Sequence, residues 1–280
     1  MAVRIITDST CDIEEQDKQA LAIDVLPLKV IFGDREYIDG VNLSAEQFYS
    51  MLGGARELPK TSQVVPHAFS QLCARYLRQG DEIVILTLSS ELSGTWQSAQ
   101  VACSQLQSDR IFLVDSRHVT MGLMALVLYA VTLRDSGLPA CEIAWRLEKA
   151  KDSVKMYAII DSLKYLRMGG RISSTAAVAG GVLGIKPVIT VENGTVQLVS
   201  KARGFVPAAE KILEYMKKDG INTDMPVVFG HSNSPEMAQK LAEIFCPAFS
   251  IQDYRVDPIG PVVGTHAGPG CAGIAFFSEI

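Results

Sequence analysis

Histidine is scarce in this 280-residue chain and tryptophan scarcer, with four of the first and two of the second. No two histidines fall at H-E-x-x-H or H-x-H spacing, so the sequence gives a metal site no support. The six cysteines, at 11, 73, 103, 141, 246 and 271, form no C-x-x-C pair and none lies beside a histidine at metal-ligand spacing. That usage reads as the reduced thiols of a cytoplasmic protein. The amino terminus, MAVRIITDST, enters a strand at once, without the pattern of a signal peptide. The most apolar stretch, residues 121–131, is about half the roughly 20 residues that span a bilayer, so no stable membrane insertion is expected. Basic runs are missing as well. Lys and Arg are scattered and the net charge is −5, which argues against nucleic acid or an anionic membrane as the main partner. The sequence also lacks the G-x-x-x-x-G-K-[ST] phosphate loop of nucleotide enzymes, internal repeats and low-complexity tracts.

What is present is ordinary globular material, 48% hydrophobic and 20% charged, on a chain long enough to favour two domains. Short apolar runs at 3–7, 24–32, 83–88 and 111–114 alternate with helical patterns at 44–51, 66–78, 119–136 and 138–151. This rhythm predicts an α/β fold with a mostly parallel sheet flanked by helices. The pattern changes near residue 153. A strand at 154–160, a hairpin at 186–200 around Glu192-Asn193-Gly194, helices at 208–218 and 235–245, and strands at 226–230, 254–256 and 274–277 predict an α+β second half. The expected domains are 1–153 and 154–280.

Four motifs invite a chemical reading. The strand at 83–88 runs into Ser89, Ser90, Ser93, Gly94, Thr95 and Ser98, with Ser93-Gly94-Thr95 where a helix would begin. A helix start there presents free N–H groups and a positive dipole end to an anion, although an ordinary Ser-rich cap fits the same residues. Thr61-Ser62 and Ser9-Thr10 are further hydroxyl pairs at strand or loop ends. His266 stands among glycines, in what reads as an open loop. Two other motifs carry less. Gly268-Pro269-Gly270-Cys271-Ala272-Gly273 matches G-x-G-x-x-G, but too few residues follow it to supply a helix and the acidic residue of a dinucleotide site. Ser232, with Asp253 or Asp257 and then His266, has the chain order of an α/β-hydrolase triad, while Ser234-Pro235 reads equally as a helix cap.

Seven stretches together resemble the DegV family of bacterial fatty-acid-binding proteins, the lipid-carrying subunits of the fatty acid kinase system. They are IITDSTCDI at 5–13, TSQ at 61–63, LSSELSGTWQSA at 88–99, VDSRHVTMG at 114–122, YLRMGGRIS at 165–173, KPVITVENG at 186–194 and GPVVGTHAGPG at 260–270. The resemblance implies two α/β domains with a fatty acid buried between them. It implies a carboxylate held by Thr61 and Ser93 with His266 beside it, and by extension Ser62, Gly94 and Thr95 around it. The ligand implied is a chain of about C14–C18, such as palmitate, stearate or oleate, whose methylenes contribute about 0.8 kcal/mol each. It further implies a carrier with no catalytic residue and no cofactor of its own, monomeric when free of a kinase subunit. That partner phosphorylates the carboxylate for phospholipid synthesis. Residues 174–189 are small and apolar, so Ala176, Val178, Ala179, Val182 and Ile185 are expected to line the acyl tunnel, and Arg171, Lys201 and Arg203 to face the kinase. Val64-Val65 and Ala267 depart from the family pattern without touching the head-group residues. The alternatives are a serine hydrolase using Ser232 and His266, or a lipid-sensing regulator that serves no kinase.

Overall fold

A computed structural model describes residues 2–55, 57–172 and 184–279. In chain order, the first half holds β1 (Val3–Asp8), α1 (Glu15–Ala20), β2 (Ile23–Leu26), β3 (Lys29–Phe32), β4 (Arg35–Ile38), α2 (Ala45–Gly54), β5 (Lys60–Ser62), α3 (Pro66–Arg78), β6 (Glu82–Thr87), α4 (Thr95–Leu106), β7 (Ile111–Asp115), α5 (Met121–Asp135) and α6 (Ala140–Ala150). The second half holds β8 (Val154–Ile159), α7 (Lys164–Met168), β9 (Ile185–Glu192), β10 (Thr195–Arg203), α8 (Phe205–Asp219), β11 (Val228–Ser232), α9 (Pro235–Phe249), β12 (Arg255–Pro258), α10 (Pro261–Ala267) and β13 (Cys271–Phe277).

Three sheets result. The first is parallel, in the order β2-β1-β6-β7. The second is mixed, in the order β10-β9-β8-β13-β11-β12, and a small antiparallel sheet, β4-β3-β5, stands apart. The expected α/β architecture is therefore present, a parallel N-terminal sheet flanked by helices and a mixed C-terminal sheet. Residues 24–32, read as one strand-rich segment, divide between β2 in the first sheet and β3 in the third, with Pro27 between them. Proline has no N–H to give a ladder, and the chain leaves the first sheet beside it to enter the third.

Helix α5 joins the halves. It packs against β1 on one side and against β8, β11 and β13 on the other. A helix covered by sheets on opposite faces must be apolar nearly all round, and its Leu123, Met124, Ala125, Leu126 and Val127 are all buried. Burying each of the two leucines contributes about 1.5–3 kcal/mol. Close approach is secured by Gly230 in β11, where a Cβ would stand 2.6 Å from Met121 Cγ.

The Asn193-Gly194 turn forms as its sequence predicts. Both residues have positive φ, +51° and +80°, and the flanking strands pair antiparallel. Most of the small apolar stretch expected to line the acyl tunnel lies outside the described residues, and with it Ala176, Val178, Ala179 and Val182.

Candidate functional site

Between the two large sheets lies a cavity of about 430 Å³. That is within the usual range for a small-molecule pocket. Its walls are apolar: Leu28, Leu88, Val119 and Val262 from one side, Met156, Ala158, Ile189 and Val196 from the other. Polar groups gather where Thr61, Ser62, Gln63, Ser93, Gly94, Arg171 and His266 line it.

Three elements deliver these polar groups. Thr61 and Ser62 belong to β5, which pairs with β3 through Val30↔Thr61. Three residues make a strand too short to show a period-2 pattern, so the sequence reads only a loop there. Ser93 precedes α4, whose free N-terminal N–H groups and dipole face the same region. His266 sits in the last turn of α10, and the expected glycine loop is a helix opened by Pro261. Its N-terminal end is fixed from the first half of the chain. Asp12 Oδ1 accepts the Gly260 N–H at 3.0 Å, and Tyr49 Oη donates to the Ile259 carbonyl at 2.9 Å. A Cβ on Gly264 would stand 2.6 Å from Tyr49 Oη and 2.8 Å from Phe48 Cε1, so α10 lies directly on α2.

The hydroxyls are arranged as donors. His266 Nε2 and Thr61 Oγ1 are 2.9 Å apart. Burial holds the imidazole down at about 4, and the Arg171 charge pushes the same way, so the ring is neutral near pH 7. With the proton on Nε2, the ring donates to Thr61 and leaves the threonine hydroxyl proton for a guest. Ser93 Oγ is satisfied likewise, 3.0 Å from Thr95 Oγ1 and accepting the Thr95 N–H at 3.3 Å. Both hydroxyls can thus turn a proton toward an acceptor in the cavity. Arg171, whose Nη1 and Nε donate to the Gly169 and Leu92 carbonyls, adds the one cationic side chain of the lining among the described residues.

Other expected residues fall elsewhere. Thr95 is fully buried behind Ser93, outside the lining, and accepts the Val64 N–H at 3.4 Å. Ile185 opens β9 beside Arg203 and does not line the cavity; Ile189, four residues further along the strand, does. Lys201 and Arg203 are exposed at alternate positions of β10, an edge strand, whereas Arg171 lines the cavity. The hydrolase triad does not assemble. Ser232 Oγ is buried and accepts the Cys271 N–H at 2.8 Å, Asp257 is engaged by Arg255, and His266 is engaged by Thr61.

The sequence reading missed Gln63 and Gly169. Gln63 Nε2 donates to Ser98 Oγ at 2.8 Å, and its Oε1 occupies the space a Cβ on Gly94 would need, at 2.0 Å. A Cβ on Gly169 would stand 2.2 Å from His266 Nδ1. Glycine at 94 and 169 is the signal that could have found both, because each lets a polar side chain approach a backbone. Among the described residues no cluster of His, Cys, Asp or Glu is placed to hold a metal ion, and no helix is long and apolar enough to cross a membrane.

Comparison with known proteins agrees with this architecture. The sequence model described as an uncharacterised protein of the DegV family matches residues 2–279. A DegV domain-containing protein of Caldanaerobacter subterraneus is 34% identical over 278 residues, covering 99% of both chains. A DegV family protein of Thermus thermophilus, described for its fatty acid binding, superposes with a TM-score of 0.90 at 28% identity over 100% of both chains. DegV of Bacillus subtilis, described as a fatty acid binding protein, gives 0.86 at 29% identity over 100% of both chains. A stearic acid-binding protein of Eubacterium ventriosum gives 0.87 at 25%, covering 99% of this chain and 98% of that one. The chain belongs to the DegV family.

Proposed function

We propose that this protein is a carrier that binds one long-chain fatty acid, with its tail between the two large sheets and its carboxylate against Thr61, Ser62, Ser93, Gly94 and His266. The observation that carries the reading is the pairing of an apolar cavity with the Thr61 and Ser93 hydroxyls, each beside a neighbour, His266 or Thr95, that can donate to it and so free its proton for an anion. The fatty acid binding described for the Thermus thermophilus and Bacillus subtilis relatives supports it. A carboxylate in such a place needs compensation, which the two hydroxyls, the α4 N-terminus and Arg171 supply. About fifteen methylenes at about 0.8 kcal/mol each would give an upper bound near 12 kcal/mol, so the tail dominates affinity.

In this reading the carrier works in the cytoplasm and presents the carboxylate to a kinase subunit, which makes the acyl phosphate used for phospholipid synthesis. Exposed Lys201 and Arg203, with Arg171, form the face it meets. The division at residue 153 has support in the start of the second large sheet at Val154. Denaturing mass spectrometry of protein purified from bacteria tests the central claim. A copurified C14–C18 acid is expected; protein that arrives empty and ignores added palmitate would refute it.

A further inference from the structure

Ser93 belongs to a stretch, 88–94, with neither helix nor strand to hold it. Something else must place its hydroxyl, and five hydrogen bonds converge on Ser89, one of them from its own N–H to the His118 carbonyl at 2.8 Å. The Ser89 carbonyl accepts the Leu92 N–H at 3.0 Å and the Ser93 N–H at 3.2 Å. Its hydroxyl accepts the Glu91 N–H at 3.2 Å and donates to the Gly194 carbonyl at 2.7 Å. Ser89 is fully buried and does not line the cavity.

Gly194 is the tip of the β9–β10 hairpin, whose Ile189 and Val196 form part of the apolar wall. The tip is itself held. Arg117 Nη2 donates to the Asn193 carbonyl at 2.9 Å, and Asp115 Oδ1 accepts the N–H groups of both Arg117, at 3.0 Å, and Ser90, at 3.2 Å. A Cβ on Gly194 would stand 2.6 Å from Ser89 Oγ, at a φ of +80° that disfavours any other residue. The apolar wall of one sheet and the polar end of the other therefore share a single reference contact.

We propose that Ser89 is a positioning residue for the Ser93 head-group hydroxyl, and that the hairpin tip sets its place through the Gly194 carbonyl. This rests on the fatty-acid reading. Hydrogen bonds to a charged acceptor depend steeply on distance and angle. The loss of Ser89 Oγ should thus weaken binding of an acid and spare binding of an alcohol with the same tail.

The test compares palmitate with hexadecanol on the full chain by fluorescence displacement, with thermal melting as a check on folding. Ser89→Ala should lower palmitate affinity about tenfold and hexadecanol affinity less than twofold. Gly194→Ala, which presses on the same oxygen from outside the cavity, should give the same selective loss and decides alone if Ser89→Ala fails to fold. A wild-type protein that binds neither ligand overturns the fatty-acid reading. Wild-type binding with an unchanged acid-to-alcohol ratio in the variants, or an equal loss for both ligands, overturns the positioning role and leaves the fatty-acid reading standing.

Discussion

Thr61 Oγ1 and His266 Nε2 meet at 2.9 Å across 205 residues of sequence. The bond ties β5, in the first half of the chain, to α10, in the second, at the polar end of the cavity. His266 has little freedom around it. Its Nδ1 is buried without a hydrogen-bond partner among the described residues, against the backbone of Gly169. An imidazole so enclosed is neutral and holds its place by packing, which suits a group that orients a hydroxyl better than one that carries a charge.

Removing the hydroxyls should separate head-group energy from tail energy. Thr61→Ala and Ser93→Ala are each expected to lower palmitate affinity about tenfold or more, because a hydrogen bond to a charged group contributes about 1.5–3 kcal/mol. Hexadecanol binding should change far less. Isothermal titration with both ligands measures this; equal losses would remove these residues from the carboxylate site.

Thr61→Ala should also cost stability without any ligand. It strands the second ring nitrogen of His266, and an unsatisfied buried polar group costs about 1–3 kcal/mol. Urea unfolding of the empty protein should show that loss, and Thr61→Ser should recover most of it.

Gly169→Ala forces a Cβ to within 2.2 Å of His266 Nδ1 unless the ring moves. The ring is expected to leave Thr61, with a fall in palmitate affinity similar to that of Thr61→Ala. Gly94→Ala should displace Gln63 from Ser98 in the same manner. Imidazole NMR shifts in the two variants distinguish them: only Gly169→Ala should move the His266 resonances substantially.

Two buried groups give opposite pH signatures. His266 is held at about 4 against an ordinary 6.5, so the unfolded chain binds the extra proton between those values. Its neutral burial is fully tolerated above pH 6.5 and weakens stability as pH falls toward 4. Relative to His266→Gln, the wild type should therefore lose up to about 3 kcal/mol over that window. Asp39 runs the other way. Burial raises it to about 7 from 3.8, so the folded protein holds the proton and stability is lost as pH rises from 3.8 to 7. Relative to Asp39→Asn, the wild type should lose up to about 4 kcal/mol across that range. Urea midpoints measured from pH 4 to 8 check both signs.

Ala158 lines the cavity from β8 and is almost fully buried. Ala158→Leu should shorten the space available to a tail. Stearate affinity should fall more than myristate affinity, by about fifteen- to sixtyfold in ratio, since two or three excluded methylenes are worth about 0.8 kcal/mol each. A copurified-lipid profile that does not shift toward shorter chains would place the tail elsewhere.

The elements most legible in the sequence are those whose signals are local. The Asn193-Gly194 turn requires positive φ at two adjacent residues, and few other dipeptides supply it. The run at 83–88 followed by hydroxyls is a strand meeting a helix start, and β6 and α4 are found there. Thr61, Ser93 and His266 could be singled out because the family resemblance rests on short motifs that read without any fold. The helix around His266 was not, because Gly260 and Gly264 depress helix propensity and only Pro261 marks its beginning. Tertiary packing on Tyr49 and Phe48 overrides that propensity.

By itself, then, the sequence determined the order of strands and helices, the positions of the hydroxyls and glycines, and the absence of nucleotide motifs, because each is a property of residues close in the chain. Only the tertiary structure decided which of them meet. It joined Thr61 to His266 and Ser89 to Gly194, took Thr95 out of the cavity, dismantled the apparent Ser232 triad, and made His266 neutral by burying it. These outcomes depend on contacts between residues tens to hundreds of positions apart and on exclusion of water, and neither is written in any local pattern.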